Sequence, residues 1–82
     1  MKIDVIKNIL DIAKECGCLV TIALTNGQVS YANFSKHIKE FTATDDVIYN
    51  EKEHLVTIID TDGCGDYIDS DSIIRIFSKE GL

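Results

Sequence analysis

The segment LVTIIDTDGCGDYIDSD, residues 55–71, decides which kind of fold the chain adopts. Residues 60–71 alone are close to a calcium-binding loop of the EF-hand type, which takes oxygen ligands at alternating positions and a glycine at position 6. Position 5 is Cys64, however, and a thiol is a poor ligand for a hard cation. Residues 55–59 are a β-branched run that favours a strand, whereas an EF-hand loop follows a helix. The segment therefore predicts a hairpin turning at Asp62-Gly63, and a weak calcium-binding loop is the alternative.

The rest of the chain has the pattern of one helix and several short strands. Residues 3–16 carry apolar side chains at the i, i+3, i+4, i+7 spacing of an amphipathic helix, and Gly17 favours its end. Residues 20–24 alternate like a half-buried strand, and Asn26-Gly27 suits a two-residue hairpin turn. Further strands are expected at 29–32, 47–49, 55–59, 66–69 and 73–77, with a short helical turn at 70–72.

These elements predict an α+β fold with a single domain at residues 1–82. The helix at 3–16 is expected to precede a small, strongly curved antiparallel β-barrel of five to six strands at 19–78, because short strands protect their edges by curling into a barrel. Residues 35–46 fit either a short helical turn or an excursion from a sheet edge.

The order of elements resembles the Sm-like small barrels, which have an N-terminal helix, five curved strands and a short helical turn before the last strand. Val20-x-Ile22-x-Leu24, followed by Asn26-Gly27, is similar to the opening strand pair of that family. Asp46-x-x-Tyr49-Asn50 is similar to its Asp-x-x-hydrophobic-Asn motif, whose polar residues help to bind RNA bases. Tyr67-Ile68-Asp69 stands where the family has a basic residue and a glycine, so the resemblance implies the fold more than the RNA site.

Charge divides the chain into unequal halves. Residues 1–39 carry a net charge of +2 and residues 40–82 a net charge of −8, which gives the total of −6. A negative surface repels phosphate and attracts basic protein surfaces, so direct nucleic-acid binding is not expected. The acidic side chains could equally serve to keep the protein soluble. The aspartates expected to form one partner-binding acidic face are Asp45, Asp46, Asp60, Asp62, Asp66, Asp69 and Asp71.

A small basic cluster interrupts this acidic background. Lys36, His37 and Lys39 lie close together, downstream of an aromatic residue. Such a cluster is typical either of a solvated loop or of a contact with a phosphate-bearing ligand. The residues predicted to contact a nucleic acid or a nucleotide are Tyr31, Lys36, His37, Lys39 and Asn50.

No catalytic residue, metal site or cofactor is predicted. Cys16-Gly17-Cys18 has no further ligands at a zinc-site spacing, and His37 and His54 lie in polar stretches typical of solvated surface residues. The three cysteines are an odd number, which fits reduced thiols better than a disulfide framework. The N-terminal stretch carries charges among its apolar residues, unlike a signal peptide or a membrane span, so a cytoplasmic location is expected.

The sequence thus favours a non-enzymatic, small acidic protein that binds a basic protein surface. One form of this hypothesis is a phage- or mobile-element-encoded inhibitor of a bacterial nucleic-acid-binding defence protein, such as an anti-CRISPR. The first alternative is an Sm-like oligomer that pairs through strand edges into a ring and binds RNA or a nucleotide. The second is the weak calcium-binding loop protein.

Overall fold

The fold begins with the predicted helix, α1 (Ile3–Cys16), in a computed structural model that describes residues 1–78. Asp4 lies in the first turn, where it meets the positive end of the helix dipole. Gly17 ends the helix in a left-handed conformation with φ of 69°, and its N–H donates to the carbonyl of Lys14. The sequence prediction for this helix is confirmed at both ends.

Within residues 1–78, six strands follow the helix and form two three-stranded antiparallel sheets, with the orders β2-β1-β6 and β3-β4-β5. A short 3-10 turn, Ser70–Ser72, precedes β6, as predicted. The strands are β1 (Leu19–Leu24), β2 (Val29–Asn33), β3 (Thr44–Asn50), β4 (Leu55–Asp60), β5 (Gly65–Asp69) and β6 (Ile73–Ser78).

The α+β class is therefore confirmed, but the expected barrel at 19–78 is not. Within residues 1–78 no hydrogen-bonded ladder joins β2 to β3 or β5 to β6, so the two sheets stay separate. The long connection 34–43 separates β2 from β3, and the Ser70–Ser72 turn separates β5 from β6. The likeness to Sm-like barrels stays at the level of element order.

One hydrophobic core lies between α1 and the two sheets. The helix contributes Ile6 and Leu10, the first sheet Ile22, and the second sheet Val56 and Ile58, all at most 1% exposed. Full burial of each such side chain stabilises the fold by roughly 1.5–3 kcal/mol. This core fixes which face of each strand points outward, and therefore which side chains can meet a ligand.

Both tight hairpins have three-residue loops, which corrects the two-residue turn predicted at Asn26-Gly27. In the β1–β2 loop, Leu24 N–H donates to Gln28 O, and Gly27 N–H donates back to Leu24 O. Gly27 has φ of 84°, the left-handed conformation that a type I turn with a glycine bulge requires. A glycine with positive φ suits two-residue and three-residue loops alike, so the Asn-Gly signal marks the right place with the wrong loop length.

Candidate functional site

The β4–β5 hairpin repeats the geometry of the first hairpin and carries the acidic segment. Asp60 N–H donates to Cys64 O (2.8 Å), Gly63 N–H donates to Asp60 O (2.9 Å), and Gly63 has φ of 89°. The Asp62 carboxylate accepts a hydrogen bond from Cys64 N–H at 3.0 Å, as Asn26 does for Gln28 in the other loop. The predicted hairpin is confirmed. It follows a strand and not a helix, which is not the geometry of an EF-hand.

Two of the predicted aspartates lie diagonally across this hairpin on the inner side of the sheet. Asp66 is opposite the core residue Ile58, and Asp60 lies two residues beyond Ile58 on the same face. Asp66 accepts a hydrogen bond from Ser30 Oγ of β2, which links the two sheets at this edge. Asp60 and Asp66 also line an open cavity of about 260 Å³ together with Tyr31.

The carboxylates at this hairpin repel one another. Partial burial raises the pKa of Asp60, and the neighbouring charges of Asp62 and Asp66 raise it further. The charge of Asp62 and its hydrogen bond also raise the pKa of the Cys64 thiol, which keeps that thiol protonated and a poor nucleophile. Within residues 1–78 the ion pairs are Lys7–Asp11 and His54–Asp71, so no basic side chain of that region neutralises these three aspartates.

The seven predicted aspartates do not form one continuous face. Asp45 and Asp46 lie at the start of β3, whose register pairs this end with the end of β4. Asp69 and Asp71 lie at the opposite end of β5, where Asp69 accepts a hydrogen bond from Asp71 N–H (2.9 Å) and Asp71 pairs with His54 (3.2 Å). We call the five residues that share one end of the sheet the acidic end: Asp45, Asp46, Asp60, Asp62 and Asp66.

An exposed apolar row on the outer face of the same sheet was not predicted. Ile48, Thr57 and Tyr67 are register partners across β3, β4 and β5, with Ile48 50% and Tyr67 71% exposed. The ring of Tyr67 lies over Gly65, and a Cβ at position 65 would be 3.3 Å from the tyrosine hydroxyl. The strand period of two could have indicated this row, because Tyr67 must face outward when its neighbour Ile68 is buried. This row places an aromatic anchor on the outer face of the sheet whose inner side carries Asp60 and Asp66.

The predicted nucleotide-contact residues separate into different places. Lys36 and Lys39 line one cavity, and His37 lies in the same connection, held by a hydrogen bond from its N–H to Ser35 Oγ. Tyr31 packs against the ring of Phe41 at 4.6 Å and lines the smaller cavity beside the acidic end.

Asn50 lies at the far end of β3, where its side chain accepts a hydrogen bond from Glu53 N–H (3.0 Å) and orders a turn. In the same turn, His54 takes a left-handed conformation with φ of 53°. Asn50, which matches the asparagine of the Sm-like motif, therefore shapes the β3–β4 connection.

The described part of the chain contains no group of three or more His, Cys, Asp or Glu side chains arranged to hold a metal ion. Cys16 and Cys64 are exposed free thiols, and Cys18 is a half-buried one. Among residues 1–78, no helix has the length and apolar character needed to cross a membrane. Comparison of the chain with family models, curated proteins and solved structures gives no match.

Proposed function

We propose that the protein is a non-enzymatic binding module whose acidic end engages a basic surface on a partner protein. The observation that carries the proposal is the cluster of Asp60, Asp62 and Asp66, which lacks a neutralising cation in residues 1–78. Partial burial chiefly, and then the charges of Asp62 and Asp66, raise the pKa of Asp60. A basic partner would relieve this repulsion, and the field of the cluster would accelerate the encounter.

The exposed row on the outer face of the same sheet supports the same proposal. Charge alone gives steering and specificity, whereas binding energy in protein interfaces is concentrated in a few buried aromatic and apolar anchors. Tyr67 and Ile48 supply such anchors on the outer face of the strands that carry the acidic end. An arginine-bearing surface fits this arrangement best, because a guanidinium can pair with a carboxylate and stack on an aromatic ring.

A nucleic-acid-binding protein is the partner class that we favour, since its basic groove is built to receive a polyanion. An inhibitor that occupies such a groove, for example a phage-encoded anti-CRISPR, is the narrowest form of the proposal. A cytoplasmic location belongs to the same proposal, because such partners act there.

The test is a pull-down from a lysate of the organism that carries the gene. The bait variant Asp60→Asn/Asp62→Asn/Asp66→Asn removes three charges from the acidic end. The matched control, Glu15→Gln/Glu51→Gln/Glu53→Gln, removes three charges from exposed positions elsewhere. We expect the control bait to capture one discrete partner. The Asn variant should not capture this partner, and high salt should release it from the bait. A partner that the Asn variant retains would contradict the proposal.

A second candidate function is the oligomer joined through strand edges, with an Sm-like barrel completed between subunits. It is favoured by β6, a sheet edge within the described residues, on which Ile74 is 61% exposed. An exposed apolar edge strand is a template for pairing with another chain. Light scattering distinguishes the two candidates: a stable multimer at micromolar concentration supports the ring that binds RNA or a nucleotide, and a monomer contradicts it.

A further inference from the structure

One large cavity of the described chain is lined by basic and aromatic side chains. It has a volume of about 630 Å³ and lies between the C-terminal half of α1 and the connection 34–43. Sites for small ligands usually enclose roughly 300–1,000 Å³, so the space suits a small molecule. Among the residues that line the cavity are Lys14, Phe34, Lys36, Lys39, Phe41 and Thr44.

The charge of this cavity is opposite to that of the protein. Lys14, Lys36 and Lys39 are three of the eight basic residues of the chain, and no acidic residue among residues 1–78 lines the cavity. None of the three lysines has a carboxylate within 4 Å among residues 1–78. Three like charges round one cavity repel each other, and a bound anion would remove that cost.

A buried amide holds the connection in its shape. Asn33 is 1% exposed, and its Nδ2 donates to the carbonyls of Ile38 (3.1 Å) and Phe41 (2.9 Å). Its Oδ1 accepts a hydrogen bond from Ser35 N–H (3.1 Å), and Ser35 Oγ in turn accepts from two further N–H groups of the connection. The backbone that carries the two lysines is therefore held in one conformation, which lowers the entropy cost of binding.

We propose that this cavity binds a nucleoside phosphate. Lys14, Lys36 and Lys39 supply the cations for the phosphate, and Phe34 and Phe41 supply an aromatic wall for the base. The proposal does not depend on the acidic end, which serves a protein partner. It assigns a role to Lys14 that spacing in the sequence could not suggest, because Lys14 is far from the connection along the chain and adjacent to it only in the fold.

The test is a ¹⁵N-NMR titration of the full chain with ATP, AMP, adenosine and pyrophosphate. We expect saturable binding of both nucleotides with a dissociation constant below about 1 mM, and shifts centred on residues 33–44 and Lys14. Adenosine should bind at least about tenfold more weakly for want of charge, and pyrophosphate at least about tenfold more weakly for want of a base.

Two variants with the same change of charge identify the site. Lys36→Gln/Lys39→Gln should weaken ATP binding at least about tenfold, whereas Lys2→Gln/Lys52→Gln should leave it unchanged. All four lysines are exposed, so both variants should fold, and the dispersion of the spectrum checks this. No saturation by either nucleotide, equal loss in the two variants, or pyrophosphate binding as tightly as ATP would each overturn the assignment.

Discussion

Asn33→Ala should cost the protein a large part of its stability, because one buried side chain organises the whole connection 34–43. The substitution removes three hydrogen bonds, to Ser35 N–H, Ile38 O and Phe41 O. Each bond stabilises the fold by about 1 kcal/mol, so the free energy of unfolding should fall by about 3 kcal/mol. A domain of this size has a total of roughly 4–12 kcal/mol, so the loss is easily measured.

The assay is urea unfolding followed by circular dichroism, with the free energy taken from linear extrapolation. Asn8→Ala is the matched control, since Asn8 lies exposed on α1. That change should stabilise the protein by no more than about 0.7 kcal/mol, through the better helix propensity of alanine. A loss smaller than about 1 kcal/mol for Asn33→Ala would refute the view that this amide holds the connection in place.

Four further outcomes are expected. Asp60→Asn should raise the melting temperature near neutral pH, since the raised pKa of Asp60 means that its ionised form opposes folding. The gain in melting temperature should vanish as the pH falls through that pKa to below 3.8. A gain that persists below pH 3.8 would argue against the repulsion. Burial is the chief cause that raises the pKa of Tyr49 to about 12. An absorbance titration of the Tyr49→Phe variant should therefore lack the most alkaline phenolate phase. The stability that the neutral phenol confers should be lost as the pH rises from 10.0 to about 12. In urea unfolding, Ile6→Ala should lower the free energy of unfolding by about 3 kcal/mol. Ile12→Ala should lower it by less than about 1 kcal/mol, because the Ile12 side chain is 60% exposed. Equal losses would contradict the placement of the core. Gly63→Ala should cost about 1 kcal/mol or more, because φ there is 89°, and an unchanged melting curve would exclude the left-handed turn.

Local signals predicted the elements well. The apolar period and Gly17 located α1, and the Asn-Gly and Asp-Gly pairs located both hairpins. The strand at 20–24 was recognised by its period of two, and the strand at 55–59 by its β-branched run. The loop length was missed, since a left-handed glycine serves two-residue and three-residue loops alike.

Long-range features were not predictable in the same way. The connection 34–43 has no regular secondary structure and is ordered by Asn33, whose buried position depends on the sheet around it. The aspartates of residues 60–71 look contiguous in the sequence, but Asp66 and Asp69 are three residues apart on a strand. They are therefore about 10 Å apart on opposite faces. Only the pairing of β3, β4 and β5 shows which carboxylates share an end.

Hydrogen exchange of the protein bound to its captured partner tests the central claim most directly. If the acidic end and the Tyr67 row form the interface, amide exchange should slow at residues 59–67 and at the start of β3, and this protection should disappear in Asp60→Asn/Asp62→Asn/Asp66→Asn. Protection confined to α1 or to the sheet of β1, β2 and β6 would contradict the account.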